Sequence, residues 1–402
     1  MQHEIKTSLT RRPLYYFLSY GLCFISLGMA GVSLGPLLPT LAQATNSSLA
    51  QISFIFSARS LGYLLGSATA GHFYDRINGH KLMVICLTLM FIGHFSIPFI
   101  PSFIFILLAM FIIGLGHSAI DIGGNVNLLW VYQSRVGPYL NGMHFCFGVG
   151  ALLSPILIHN MIKITDGGLS WPFWALAIGF IPGILSLLLL EAPQNPEEEL
   201  APANSKRDNL WLISLLMLLF FLYVGIEGGF GGWIYTYVTK ADLANETSAA
   251  YMNAVFWGSL TFGRLISIPL ARRIVPSKLL LGNFVFAILS LSLVLVWPRS
   301  NIVVWIVCVG FGLSLSSVFP TLLALSETRM KITGRVTSLF FIGASLGGLL
   351  MPMLLGQIFD FIGSYYIMVA LFAATCLGVL VLGSVLFISN KVGEKQRTSH
   401  AG

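Results

Sequence analysis

Charge is what this sequence has least of. Only 9% of its 402 residues are Asp, Glu, Lys or Arg, against about 25% in an ordinary soluble domain. Hydrophobic residues make up 56%. That imbalance excludes a water-soluble fold. Motifs that carry covalent or metal chemistry are missing too. There is no nucleotide-binding loop of the Walker pattern, and no HExxH or paired-cysteine site. An ATP-driven pump or a membrane metalloenzyme is therefore disfavoured, and no enzymatic role, cofactor or metal is expected. The five cysteines, Cys23, Cys86, Cys146, Cys308 and Cys376, all sit in apolar runs. They read as small buried hydrophobes, neither disulfides nor ligands.

Long apolar runs are what the chain has instead. A helix crossing a bilayer needs roughly 20 apolar residues, and backbone amides in hydrocarbon must be satisfied within the segment. Twelve spans are expected, at 15–40, 49–73, 82–100, 103–130, 137–162, 172–191, 210–238, 247–272, 278–297, 301–325, 332–358 and 364–389; they are numbered 1 to 12 below. The first thirteen residues are polar and basic, and the run after them is too long for a signal-peptide core. It reads as span 1.

The formal net charge is +7. In a soluble protein that balance could point to nucleic acid; here the basic residues sit in loops and set orientation. With the N-terminus inside, seventeen of the 22 Lys and Arg fall in cytoplasmic segments, and Lys163, Lys240 and Arg299 on the other side. Arg59 and Arg264 fall inside spans. The asymmetry places both termini in the cytoplasm of a multi-pass plasma (inner) membrane protein, with no nucleic-acid partner. A monomer in the lipid bilayer is expected.

One long polar connection interrupts the pattern. Residues 192–209, APQNPEEELAPANSKRDN, are rich in Pro and charge and have no periodicity. They read as a cytoplasmic linker between an N-terminal bundle (1–191) and a C-terminal bundle (210–402). The halves resemble each other. Gly62 aligns with Gly263, Gly114/Gly116 with Gly310/Gly312, and Pro155 with Pro352, at offsets of 201, 196 and 197. A single glycine reads as plain helix packing; the repeated order of motifs argues for duplication. The fold class is thus an all-α membrane protein of two pseudo-symmetric six-helix bundles.

Several stretches resemble the Major Facilitator Superfamily, in particular its fucose–hexose symporter group and the sodium-dependent glucose transporter-like proteins. They are GHSAIDIGGNVNLLW (116–130), LNGMHFCFGVGALLSP (140–155), YVGIEGGFGGWIYTY (223–237), FWGSLTFGRLIS (256–267) and GLSLSSVFPTLLAL (312–325). GHFYDRINGHK (71–81) is similar to the superfamily's signature between spans 2 and 3, with Ile77 and Asn78 as two residues, where the signature has one, between Arg76 and the next Gly. The resemblance implies that Asp75 and Arg76 gate the cytoplasmic ends of helices. It also implies that spans 1, 4, 7 and 10 line a cavity while 3, 6, 9 and 12 face lipid.

Ionisable groups inside spans are few, and each costs about 2.5–3.5 kcal/mol at the bilayer centre on insertion scales. Asp121 and Glu227 are the two acids well inside spans. His117, Asp121 and Asn125 are spaced i, i+4, i+8 on span 4, which sets them along one face. A base, an acid and an amide in line suit an ion-coupling site of Asp121, Glu227 and His117. The plainer reading is a structural carboxylate paired to Arg59 or another buried cation. Glu227 lies in VGIEGGFGGW, where five glycines fall within eight positions. Glycine weakens a helix by up to about 1 kcal/mol each, so span 7 is expected to break or bend there. Arg264 reads either as a gating partner of Glu227 or as a snorkelling cation. Pro320 is expected to kink span 10.

Amides and carboxylates read hydroxyls, and flat aromatic faces pack on the C–H face of a pyranose. Asn125, Asn127, Glu227, Trp233, Tyr237, Asn253 and Trp257 form the expected substrate-binding set; for each aromatic an interfacial belt is the competing reading. His144 reads equally as a hydrogen-bonding group or a loop-edge structural residue. The expected function is alternating-access symport of a small polar solute, a monosaccharide, coupled to H+ or Na+, with two bundles rocking around a midplane site. The alternatives are a carrier of another small metabolite or drug, and a non-transporting sensor on the same scaffold.

Overall fold

The computed structural model describes residues 2–74, 77–193, 210–330 and 334–399. Asp75, Arg76 and residues 194–209 of the expected linker lie outside the described residues. The described chain is almost wholly helical. Span 1 is formed by Gln2–Val32 and Leu34–Ala44, and span 2 by Leu49–Ile52 and Phe54–Tyr74. Spans 3, 4 and 5 follow as Gly79–Ser96, Phe103–Tyr132 and Gly137–Ile164, and span 6 as Ser170–Ile178 with Ile181–Leu188. Spans 7, 8 and 9 are Leu210–Lys240, Glu246–Arg273 and Pro276–Val296. Span 10 is Asn301–Leu315 with Val318–Arg329, span 11 is Gly334–Phe361 and span 12 is Tyr365–Ser399.

Among the described residues, 11 helices are long and apolar enough to cross a membrane. Phe54–Tyr74, 21 residues long, is not one of them. Its apolar frame carries Arg59, Ser57, Ser60, Ser67 and Thr69. Polarity in this helix is what hydropathy alone penalises; Ser67 and Thr69 return their hydroxyls to carbonyls of the same helix.

Prolines account for three of the interruptions. Proline lacks the N–H that would bond the carbonyl four residues back, and its ring clashes there. The first segment of span 1 ends at Val32, four residues before Pro36; that of span 6 ends at Ile178, four before Pro182. Span 10 turns at Ser316–Ser317, and Ser316 lies four residues before Pro320. The kink expected at Pro320 is therefore a full break. Span 7 departs from expectation in the other direction. Its helix runs uninterrupted through all five glycines. Gly225 lies against Met351 and the Gly347 carbonyl, Gly229 against Leu355, and Gly231 against the Trp257 ring. Close packing on spans 8 and 11 offsets the weak propensity of those positions.

The chain divides into two compact units, Met1–Leu200 and Ala201–Gly402. Each is built on two close helix crossings. In the first unit, spans 2 and 4 meet where a Cβ on Gly62 would strike the Phe111 carbonyl and one on Gly114 the Arg59 carbonyl. Spans 1 and 5 meet at Gly28 and Gly150, against the carbonyls of Phe147 and Ile25. In the second unit, spans 8 and 10 cross at Gly263 and Gly312, and spans 7 and 11 at Gly347, against the Phe221 carbonyl. The second-and-fourth and first-and-fifth pairings thus recur in both units, as internal duplication requires. The aligned glycine pair does not keep its order of roles. Gly116 faces span 3 at Met90 and Cys86, while its partner in the alignment, Gly312, faces span 8. Gly310 instead faces span 9 at Ser290.

Spans 3 and 9 expose apolar stripes, Ile85, Leu89 and Ile92 on one and Leu281, Val285 and Leu289 on the other. Such faces suit lipid contact. Asn78, one of the two residues that lengthen the segment after Arg76, caps span 3 by accepting from Lys81 N at 3.1 Å.

Candidate functional site

The first unit gathers its polar side chains along span 4. The close approach at Gly62 and Gly114 brings span 2 against this helix, so Tyr63 reaches across. Its hydroxyl donates to Asp121 Oδ2 at 2.6 Å. One turn along, Asn125 Nδ2 donates to the Asp121 backbone carbonyl at 2.7 Å and to Oδ1 at 3.1 Å. His144 Nε2 on span 5 stands 3.2 Å from Asn125 Oδ1. The chemistry orients this chain of contacts. Asn125 Nδ2 faces two oxygens and must be the amide nitrogen, so Oδ1 accepts and His144 Nε2 carries the hydrogen. The His144 ring is held edge-on to Phe24 of span 1, centroids 5.5 Å apart.

His117 completes the stripe one turn before Asp121. Its ring lies edge-on to Tyr63 at 5.7 Å and to Phe147 at 6.3 Å. Arg59 does not pair with Asp121. Its Nη1 donates to the Ala30 carbonyl at 3.3 Å, and its charge acts on His117 and on His94 of span 3. The carboxylate is thus held by a hydroxyl and an amide and is not neutralised by an arginine.

The second unit holds the other acid. Arg264 Nη2 lies 3.8 Å from Glu227 Oε1, with side-chain exposures of 35% and 15%. Tyr223, one turn before Glu227, lies close enough to Glu227 and Arg264 for its buried hydroxyl to interact with both, at a geometry short of a full hydrogen bond. A Cβ built on Gly228, the next residue along the helix from Glu227, would meet nothing within 4 Å. Tyr223 also packs near Phe319, centroids 6.1 Å apart, just beyond the break in span 10.

The remaining expected residues divide. Asn253 is fully buried and donates to the Gly231 carbonyl at 2.7 Å, while its Oδ1 has no partner. Trp257, one turn on, packs on Gly231 with its Nε1 unpartnered. Trp233 is fully buried; it donates to the Pro352 carbonyl at 2.9 Å and stacks on Phe359 at 5.5 Å. Asn127 is also fully buried, with Nδ2 on Met83 Sδ at 3.3 Å. It points at span 3, off the Asp121 stripe. Tyr237 is 2% exposed. Trp233 and Tyr237 therefore sit in packing positions, while Asn127, like Asn253, keeps an unpartnered Oδ1. Tyr63 and Tyr223 were missed by sequence reasoning. The signal for Tyr63 was its i+4 spacing from Arg59 beside Gly62; Tyr223 had the same spacing from Glu227.

The Major Facilitator Superfamily profile matches residues 17–352. Sodium-dependent glucose transporter 1 of Xenopus laevis is 30% identical over 358 residues, covering 82% of this chain and 73% of that protein. Major facilitator superfamily domain-containing protein 4A of Mus musculus is 26% identical, covering 95% and 93%. The crystal structure of a D-xylose–proton symporter superposes with a TM-score of 0.75 at 13% identity, over 93% of this chain and 97% of that one. The nucleoside transporter NupG gives 0.74 at 13% identity, over 92% and 99%. At such identities the two structures establish the fold alone.

Proposed function

The chain belongs to the Major Facilitator Superfamily, and we propose that within it this multi-pass transporter moves a monosaccharide by ion-coupled symport with alternating access. One observation carries the reading. Asp121 lies within a span, bound by Tyr63 and Asn125, with no arginine to neutralise it. A carboxylate in that position is costly unless a proton or metal cation joins it, and a partner that comes and goes is what coupling needs. The second unit supports recognition of hydroxyls. Glu227 offers acceptors, Arg264 donors and Tyr223 either. Asn253 Oδ1 and Trp257 Nε1 add an unused acceptor and donor one turn apart. Asn125 passes from the substrate set to the support of Asp121, because Asp121 and His144 occupy both ends of its amide.

Relatives named as sodium-dependent glucose transporters support a sugar as cargo and an ion gradient as the energy source. Both termini lie in the cytoplasm on this reading. The test is uptake of radiolabelled D-glucose, D-xylose and L-fucose into proteoliposomes, with and without imposed H+ or Na+ gradients. Accumulation above equilibrium that collapses with an ionophore supports the proposal. Equilibration without accumulation would reduce the protein to a facilitator. No uptake of any sugar would remove sugars as cargo.

A further inference from the structure

We propose that Tyr63, together with His144 acting through Asn125, makes the Asp121 site a proton site that excludes Na+. The inference rests on reading Asp121 as the coupling carboxylate. A proton needs one lone pair. A hard cation such as Na+ needs a shell of oxygen lone pairs. Of the polar groups bonded to the Asp121 carboxylate, the Asn125 amide nitrogen at Oδ1 presents hydrogens alone, and the Tyr63 hydroxyl at Oδ2 can turn to offer a single lone pair, enough for a proton and short of a cation shell.

The amide oxygen that could join a cation shell is Asn125 Oδ1, and it is turned away toward His144 Nε2. For Asn125 to ligate Na+ beside Asp121 its amide would have to flip. The flip would break the bonds to the Asp121 carbonyl and carboxylate and set Nδ2 against the His144 N–H. No second acid inside a span of the first unit could replace it. The titratable and charged groups near this point are Arg59 and Tyr63 on span 2, His94 on span 3, His117 on span 4 and His144 on span 5. From span 1 the neighbours are the Phe24 ring, against His144, and the Ala30 carbonyl, against Arg59.

Protonation needs none of that rearrangement. A hydronium delivers its proton to Oδ2 and leaves as water. The Tyr63 oxygen then accepts the new carboxyl hydrogen, its own hydrogen turning away, because a phenol both donates and accepts. Asn125 keeps its bond to Oδ1 throughout. Tyr63 and His144 are positioning residues in this scheme; Asp121 alone changes charge.

The experiment needs no sugar, so its failure and a failure of the transport reading are distinguishable. Purified protein is titrated by infrared difference spectroscopy for the protonated-carboxyl band. In parallel, thermal midpoints are compared in NaCl and choline chloride at equal ionic strength. The native protein should show a carboxyl band that grows as pH falls, is absent from Asp121→Asn and is indifferent to NaCl, with equal midpoints in the two salts. His144→Phe, which frees the Asn125 amide to flip, should gain a NaCl-dependent rise in midpoint that His144→Phe/Asp121→Asn lacks. Tyr63→Phe should shift the pH at which the band appears, without gaining a NaCl response. A NaCl-dependent rise in the native midpoint that Asp121→Asn abolishes would overturn the proposal. So would a carboxyl band that Asp121→Asn leaves unchanged. His144→Phe with no NaCl response would overturn the part assigned to His144, and a Tyr63→Phe titration identical to native the part assigned to Tyr63.

Discussion

Arg264 Nη2 stands 3.8 Å from Glu227 Oε1, an ion pair stretched beyond hydrogen-bond length. The buried Tyr223 hydroxyl beside it interacts with both groups at a geometry short of a full hydrogen bond. Three strong polar groups thus hold unused bonding capacity at one point, which a ligand hydroxyl can take up. Arg264→Gln is expected to weaken sugar affinity by about tenfold or more, and Tyr223→Phe, which loses a bond between uncharged groups worth about 0.5–1.5 kcal/mol, by about two- to tenfold. A lost hydrogen bond to a charged group costs about 1.5–3 kcal/mol, and about 1.4 kcal/mol is a factor of ten. Equilibrium binding of the sugar that passes the uptake panel checks this. Unchanged affinity in both variants would make the group structural.

Asp121→Asn should abolish accumulation against a gradient while leaving sugar exchange across the membrane. Asn keeps the shape and one carbonyl but cannot titrate. Counterflow and gradient-driven uptake, measured on the same proteoliposomes, separate the two. Normal accumulation would pass the coupling role to Glu227.

Two glycines should behave oppositely. Gly114→Ala drives a methyl into the Arg59 carbonyl across the span 2–span 4 crossing, an overpacking that costs about 1–3 kcal/mol. Gly228→Ala meets open space and should gain up to about 1 kcal/mol of helix propensity. Thermal midpoints in detergent should fall for the first and hold or rise for the second. Equal effects would contradict the packing described for span 4.

Asn253→Leu removes the bond to Gly231 and the unpartnered Oδ1 together. The Gly231 carbonyl stays behind without its Asn253 donor but remains within the helix of span 7, so the stability cost should be that of one net hydrogen bond, about 0.5–1.5 kcal/mol. Sugar affinity should nonetheless fall about tenfold if Oδ1 is kept for a ligand hydroxyl. A stability loss with affinity intact would assign Asn253 to packing alone.

Topology can be tested by labelling. Leu200→Cys in a cysteine-free background should resist a membrane-impermeant maleimide in intact cells and react after permeabilisation. Reaction from outside would reverse the orientation argued from Lys and Arg.

Sequence by itself determined the class of the protein and the register of its helices. Apolar runs must become helices in hydrocarbon because no water is there to bond the backbone. That constraint is local, so the twelve spans could be read to within a few residues at most ends. The proline at 320 was legible for the same reason, since its missing N–H acts on a carbonyl four residues away. His117, Asp121 and Asn125 could be placed on one face because helical periodicity is also local. What touches that face could not be read, because contacts between spans depend on how closely two helices approach. Tertiary structure decided that Gly62 and Gly114 bring Tyr63 onto Asp121, that Arg59 turns away to Ala30, and that His144 orients Asn125. It also kept span 7 helical through its glycines, where spans 8 and 11 pack onto Gly225, Gly229 and Gly231, turned Asn127 toward span 3 and drew Trp233 into a packing position. Spacing along one helix tells which residues share a side; only the neighbouring helices decide which of them are already bonded and which are left for a ligand.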